Sequence, residues 1–293
     1  MKLPLRLSLA LSIALAIAMP ALLVRPPAAS SADDPISAAA RHLERQLGGR
    51  LGLMVVDIET DRRWGYRADE RFAMASTFKA LACAALLDAG EAVQGRSMTI
   101  EAKDLQTYSP VTSKKVGSAM TAAELCAVTL ATSDNTAANL VLKALGGPKR
   151  VTAFLRSAGD MVTRLDRREP ALNEAKPGDP RDTTTPQAMA TTIGDLLLGD
   201  TLTADARGRL TGWMEANAVA DGLLRAGVPK DWRIADRTGA GGHGTRGIVA
   251  VMWPPGRLPV VAAIYLTETE ASMATRDAAI AEIGRVIAAE VMR

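Results

Sequence analysis

The chain has 293 residues, 48% of them hydrophobic, which is enough for one large domain or two interleaved lobes. Its formal charge of +3 comes from 35 cations and 32 anions; Lys2, Arg6 and Arg25 lie in the first 30 residues, which hold no acid, leaving 32 of each sign in the remainder. Near-neutrality, with no basic run interleaved with aromatics, argues against nucleic acid as a partner.

In chain order, Lys2 and Arg6 precede an apolar run from Leu7 to Val24, and small residues follow from Ala28 to Ala32. This pattern predicts a secretory signal peptide over residues 1–30, hence a secreted or periplasmic protein with no stable membrane association after cleavage. An uncleaved anchor is the alternative, because the run approaches bilayer-spanning length. Pro20 within the run and the small residues after it favour cleavage. Ile36, Ala40, Leu43 and Leu47 have helical spacing. Leu51 to Asp57 and Arg62 to Tyr66, joined across Glu59-Thr60-Asp61, read as a hairpin. Ser76 to about Met214 is rich in Ala and Leu and reads as helices, interrupted at Gly146-Gly147-Pro148 and by a polar loop that runs to Pro186. Strands return at Trp232 to Arg237, Gly247 to Trp253 and Leu258 to Thr267. Ile280, Ile283, Ile287 and Val291 line one face of a closing helix.

The expected fold is α/β of the α+β type. An antiparallel sheet made from both ends of the chain (31–67 and 218–293) is flanked by the terminal helices. Residues 68–217 form an all-helical lobe that carries an acid-bearing loop over 164–182. A cleft between lobes is a natural ligand site. Cys83 and Cys126, the only cysteines, are compatible with one disulfide in an exported chain or with two buried thiols.

Four motifs carry chemistry. Ser76 and Lys79, three apart at a helix start, share a face, so the amine can serve as base for the hydroxyl if burial lowers its pKa. Alone this pair is a weak signal. Ser133-Asp134-Asn135 is rarer by chance. Ser133 can pass a proton to a leaving nitrogen, Asn135 can hold an amide, and Asp134 braces the backbone; the same residues also suit a helix cap. Glu169 sits in the 164–182 loop with Asn173, and together they can hold and deprotonate a water. Arg167 and Asp182 bracket that loop and can pair across it. Arg237-Thr238-Gly239 supplies a cation for an anionic substrate. A hydroxyl nucleophile, a proton donor, a base for water and an anion clamp are what opening and hydrolysing a strained cyclic amide requires. The two histidines, His42 and His243, have no zinc-ligand spacing around them, so no metal and no cofactor is expected.

The ordered set Ser76-x-x-Lys79, Ser133-Asp134-Asn135, Glu169-x-x-x-Asn173 and Arg237-Thr238-Gly239 resembles the class A serine β-lactamases over nearly all of the chain after the leader. Tyr108-Ser109-Pro110, Thr132 to Asn139, Arg164 to Asn173 and Arg181 to Thr184 extend the match. The resemblance implies a Cys83–Cys126 disulfide, a cis Glu169–Pro170 bond, and an oxyanion hole from the backbone N–H groups of Ser76 and Ala240. It also implies an Arg246–Asp277 pair and β-lactam substrates as partners. Tyr108 can stack along the substrate at the cleft mouth or be a surface tyrosine, and with no self-complementary patch in the sequence a monomer is the default. Most of the family has lysine at position 237. Arginine binds carboxylates in a fixed fork, so Arg237, helped by Thr238 and Arg246, is expected to clamp a substrate carboxylate. The Arg-Thr-Gly form, followed by Gly241-Gly242, resembles the carbenicillin-hydrolysing subgroup. Two other readings share parts of the pattern. A penicillin-binding peptidase of the cell wall lacks the deacylating loop, and a non-enzymatic penicillin sensor lacks the acid altogether.

Overall fold

The computed structural model describes residues 34–293; the expected signal peptide over 1–30 lies outside the described residues. Asp34 accepts the Ser37 N–H at 2.8 Å and Pro35 fills the first turn, which together start α1 (Pro35–Leu47). Gly48, at φ 60°, ends it in the left-handed conformation that a side chain would disfavour. Next come β1 (Arg50–Asp57), β2 (Arg63–Tyr66) and the two-residue β3 (Phe72–Ala73).

A 3₁₀ turn over Ala75–Thr77 leads into α2 (Phe78–Asp88), and α3 (Glu91–Gln94) follows. β4 (Ser97–Thr99) and β5 (Ala119–Thr121) then pair antiparallel. The sequence reading placed no strands here, because segments of three residues are too short to show period-2 alternation. After them run α4 (Ala122–Thr132), α5 (Asn135–Leu145), α6 (Pro148–Ser157), β6 (Thr183–Thr184), α7 (Pro186–Leu197), α8 (Ala204–Glu215) and α9 (Leu224–Gly227). The chain closes with β7 (Arg233–Ala240), β8 (Arg246–Trp253), β9 (Val260–Thr267) and α10 (Met273–Val291). No helix among the described residues is long and apolar enough to cross a membrane.

The five long strands pair antiparallel in the order β2-β1-β9-β8-β7, so both ends of the chain build one sheet. Helices cover both of its faces, which is why β1 and β9 are almost continuously apolar instead of alternating. On one face Ile36 and Ala40 of α1 and Ile280, Ile283 and Ile287 of α10 pack on Leu53, Ile248 and Ile264. The other face, with Val249, Val261 and Ala263, meets the helical block through Ile193 of α7 and Leu81 of α2. In α2 every residue except Asp88 is buried, as expected for a central helix apolar on all sides. Cys83 of α2 and Cys126 of α4, both fully buried, form a disulfide across the block.

Candidate active site

The 3₁₀ turn at the start of α2 presents Ser76, and Lys79 follows in the first helical turn. Thr77 fixes this turn: its hydroxyl donates to Met74 O at 2.8 Å and meets the buried Tyr265 hydroxyl at 3.1 Å. β7 runs so close behind that a Cβ on Gly239 would lie 2.7 Å from Met74 O and 3.1 Å from Ser76 N. Glycine in the Arg-Thr-Gly motif therefore lets the strand approach Ser76.

α4 ends at Ser133, held at φ 63°, and Asp134 starts α5 by accepting the Ala137 N–H at 2.9 Å. The same carboxylate accepts the N–H groups of Val111 and Thr112 at 3.0 and 2.9 Å, so it braces two loops at once. The capping and bracing readings thus hold together. Ser133 and Asn135 are left facing Lys79. Lys79 Nζ donates to Ser133 O (2.8 Å), Ser133 Oγ (3.2 Å) and Asn135 Oδ1 (2.6 Å), and lies 3.2 Å from Glu169 Oε1. Burial lowers the Lys79 pKa to about 8, against the opposing pull of the Glu169 carboxylate.

Glu169 is 4% exposed, far from the solvated loop acid its surroundings in sequence would suggest. The 164–182 loop is tied down at several points. Asp182 accepts the N–H groups of Asp166 and Arg167 and pairs with Arg167 Nε at 2.6 Å. Asn139 of α5 holds Glu169 itself: Nδ2 donates to Glu169 O at 2.9 Å and Oδ1 accepts Glu169 N–H at 3.0 Å. The Glu169–Pro170 peptide is cis. A short 3₁₀ turn, Ala171–Glu174, then brings Asn173 back, and its Nδ2 donates to Glu169 Oε2 at 2.5 Å. Asn173 Oδ1 is buried without a hydrogen-bond partner.

The sequence reading made Lys79 the partner of the Ser76 hydroxyl. In the structure Ser76 Oγ donates to Glu169 Oε1 at 3.4 Å, and Lys79 joins through that carboxylate. Lys79 donates its other hydrogen bonds to Ser133 and Asn135, with none to the Ser76 side chain.

A cavity of about 420 Å³ opens beside this cluster. Ser76, Ser133, Asn135, Asn173, Thr238, Gly239, Ala240, Arg246 and the half-exposed Tyr108 line it, while Lys79 and Glu169 lie buried behind its wall. Arg246 pairs with Asp277 at 2.6 Å and donates to Gly239 O at 3.3 Å. Val219 and Met273 also form the wall; neither belongs to a motif, and no local pattern singles them out.

Arg237 departs from expectation. Its side chain is fully buried and does not line the cavity. Nε donates to Ser76 O at 3.3 Å, and Nη1 donates to Leu130 O and Asn217 Oδ1 at 3.0 and 3.3 Å. Only Nη2 lacks a partner, so a two-pronged fork is not available to a ligand. Burial lowers its pKa to about 10, which leaves it charged at neutral pH. Asn217 connects it to Asp236, which in turn pairs with Arg225 at 2.8 Å. This polar network under the site is not legible in the sequence, because Asn217 and Arg225 belong to no motif and lie 20 and 11 residues from their partners Arg237 and Asp236.

Comparison with known proteins agrees with this geometry. The model of the beta-lactamase enzyme family matches residues 35–291. Beta-lactamase CARB-4 of Pseudomonas aeruginosa is 49% identical, over 89% of this chain and 91% of that protein. Beta-lactamase AER-1 of Aeromonas hydrophila is also 49% identical, over 85% of this chain and 83% of its own length. Among solved structures, the class A beta-lactamase reconstructed for the last common ancestor of Gram-negative bacteria is 56% identical with a TM-score of 0.85, covering 87% of this chain and 98% of that one. The chromosome-encoded beta-lactamase of Vibrio parahaemolyticus gives 47% and 0.84, again over 87% and 98%. With a fold, a site and a sequence that agree along nearly its whole described length, the chain belongs to the class A serine β-lactamases.

Proposed function

We propose that the enzyme hydrolyses penicillins, carboxypenicillins among them, through an acyl-enzyme on Ser76 that is released by a water activated by Glu169. The observation that carries this reading is the buried Ser76–Glu169–Lys79 cluster opening onto a cavity, with Asn173 Oδ1 unpartnered beside the carboxylate. For acylation, the serine proton moves toward Glu169 Oε1 and its ion-pair partner Lys79. The Ser76 oxygen attacks the ring carbonyl, whose developing negative charge is received by the backbone N–H groups of Ser76 and Ala240. Ser133, in contact with Lys79, delivers a proton to the departing ring nitrogen. For deacylation, Glu169 and Asn173 Oδ1 hold the attacking water, which loses its proton to Glu169.

The substrate carboxylate is held by Arg246 and Thr238 at the cavity wall, and the buried Arg237 adds its charge from behind. Asn135 and Tyr108 flank the acyl side chain. Arg246 at the wall, with the buried charge of Arg237 behind it, favours anionic substrates, carboxypenicillins among them. The leader pattern assigns the enzyme's action to the exported protein, with β-lactam resistance as its consequence.

The test is steady-state turnover of benzylpenicillin and carbenicillin, with peptide mapping of the trapped adduct. Turnover of both, with acylation at Ser76, is expected. A peptidase would instead keep a stable adduct and release terminal D-alanine from a peptidoglycan-like peptide.

A further inference from the structure

A second cavity, of about 140 Å³, shares no wall residue with the first. One wall is the end of the acid-bearing loop, Ala175 to Arg181. The opposite wall is formed by strand ends: Arg71 just before β3 and Ala73 within it, Arg50 at the start of β1, and Thr267-Glu268 at the end of β9. Five cations and two acids face this space: Arg50, Arg71, Arg167, Lys176 and Arg181 against Asp179 and Glu268.

Three of the cations are neutralised locally. Arg50 pairs with Glu70 and Glu268, Arg167 with Asp182 and Glu174, and Arg181 with Asp179. The two acids of the cavity are therefore already engaged. Arg71 and Lys176 have no carboxylate partner among the described residues. Arg71 Nη1 donates to Val162 O at 3.1 Å and Thr183 Oγ1 at 2.9 Å, which aims the guanidinium while its Nε and Nη2 take no protein partner. Lys176, opposite on the loop, is exposed, and its ammonium makes no hydrogen bond or ion pair with the described residues. A planar donor fork and an ammonium on facing walls, both unneutralised, suit a small multivalent anion. The space is below the range used by drug-sized ligands.

We propose that this cavity binds a free oxyanion of phosphate size, held between Arg71 and Lys176, and that the bound ion ties residues 175–181 to the ends of β1, β3 and β9. Asn173 lies two residues before this segment and the Arg167–Asp182 pair closes it, so the ion restrains the loop that carries Glu169. The consequence for deacylation rests on the role proposed for Glu169; the binding itself does not.

The experiment is amide hydrogen exchange on the full chain in inorganic phosphate and in sodium chloride at equal ionic strength, near neutral pH. Phosphate at ten times its dissociation constant should slow exchange at 175–181 about tenfold through mass action on local opening. Lys176→Gln should weaken this protection, and Arg71→Gln with Lys176→Gln should remove it. Arg246→Gln, which takes the cation from the first cavity, should leave it intact. Equal protection by chloride would overturn the proposal. So would protection that survives the double substitution, or that disappears in Arg246→Gln. Should the double variant fold poorly, Lys176→Gln alone decides, because that side chain is exposed and unpartnered and its loss leaves the fold unstrained.

Discussion

Asn139 carries no chemistry, yet replacing it with alanine should slow only one half of the reaction. Its amide makes two hydrogen bonds to the backbone of Glu169, at 2.9 and 3.0 Å. Each contributes about 1 kcal/mol net, and the Glu169 N–H and C=O left behind add roughly 1–3 kcal/mol where water cannot reach them. If about 2 kcal/mol of this reaches the deacylation barrier, that step slows roughly 30-fold. Acylation can still pass the Ser76 proton to Lys79, and Asn139 makes no hydrogen bond to Ser76, Lys79 or the oxyanion donors. When deacylation limits turnover, kcat and KM fall together and kcat/KM holds nearly constant. The assay is steady-state benzylpenicillin hydrolysis alongside acyl-enzyme occupancy by intact mass. A fall in kcat/KM equal to that in kcat, with no acyl-enzyme accumulating, would refute the argument that Asn139 acts by positioning Glu169.

Further outcomes follow from the same geometry. Lys79 has a pKa of about 8, held down by burial, with Glu169 as the largest opposing influence. Removing that carboxylate in Glu169→Gln takes away a raising contribution, so single-turnover acylation by this variant should rise with pH to a plateau, with a midpoint below about 8; a flat profile would exclude neutral Lys79 as its base. Arg246→Gln should lower kcat/KM for penicillins roughly 10- to 100-fold, mainly through KM, since a charge-assisted hydrogen bond contributes about 1.5–3 kcal/mol; an unchanged KM would remove Arg246 from carboxylate binding. Replacing Cys83 and Cys126 together by serine releases a loop of sequence separation 43. It should lower stability by about 4 kcal/mol in urea unfolding while hydrolysis persists in the folded fraction.

The sequence disclosed the order of the motifs and the main elements, since both depend on spacing along the chain. The five long strands, the terminal helices and the Cys83–Cys126 bridge all follow from apolar patterning or from the family resemblance. Three things stayed hidden. Arg237 was legible as a charge but not as a buried one: its fork is occupied by Ser76 O, Leu130 O and Asn217, which sit on three separate elements. Asn139 looked like an ordinary helical residue, because its partner is a loop backbone 30 positions away. Glu169 is flanked by polar residues and prolines that suggest exposure, and only the folding of the loop onto α5 buries it. Each miss concerns a contact between distant segments, where local composition carries no signal.

The most direct test of two-step catalysis is intact mass of the Glu169→Gln enzyme after mixing with benzylpenicillin, beside the wild type. Removal of the carboxylate should leave Ser76 acylated in nearly every molecule while ring opening stops after one turnover; the wild type should hydrolyse all the substrate with little lasting adduct. A Glu169→Gln enzyme that turns over at the wild-type rate without accumulating adduct would contradict Glu169 as the base for the deacylating water.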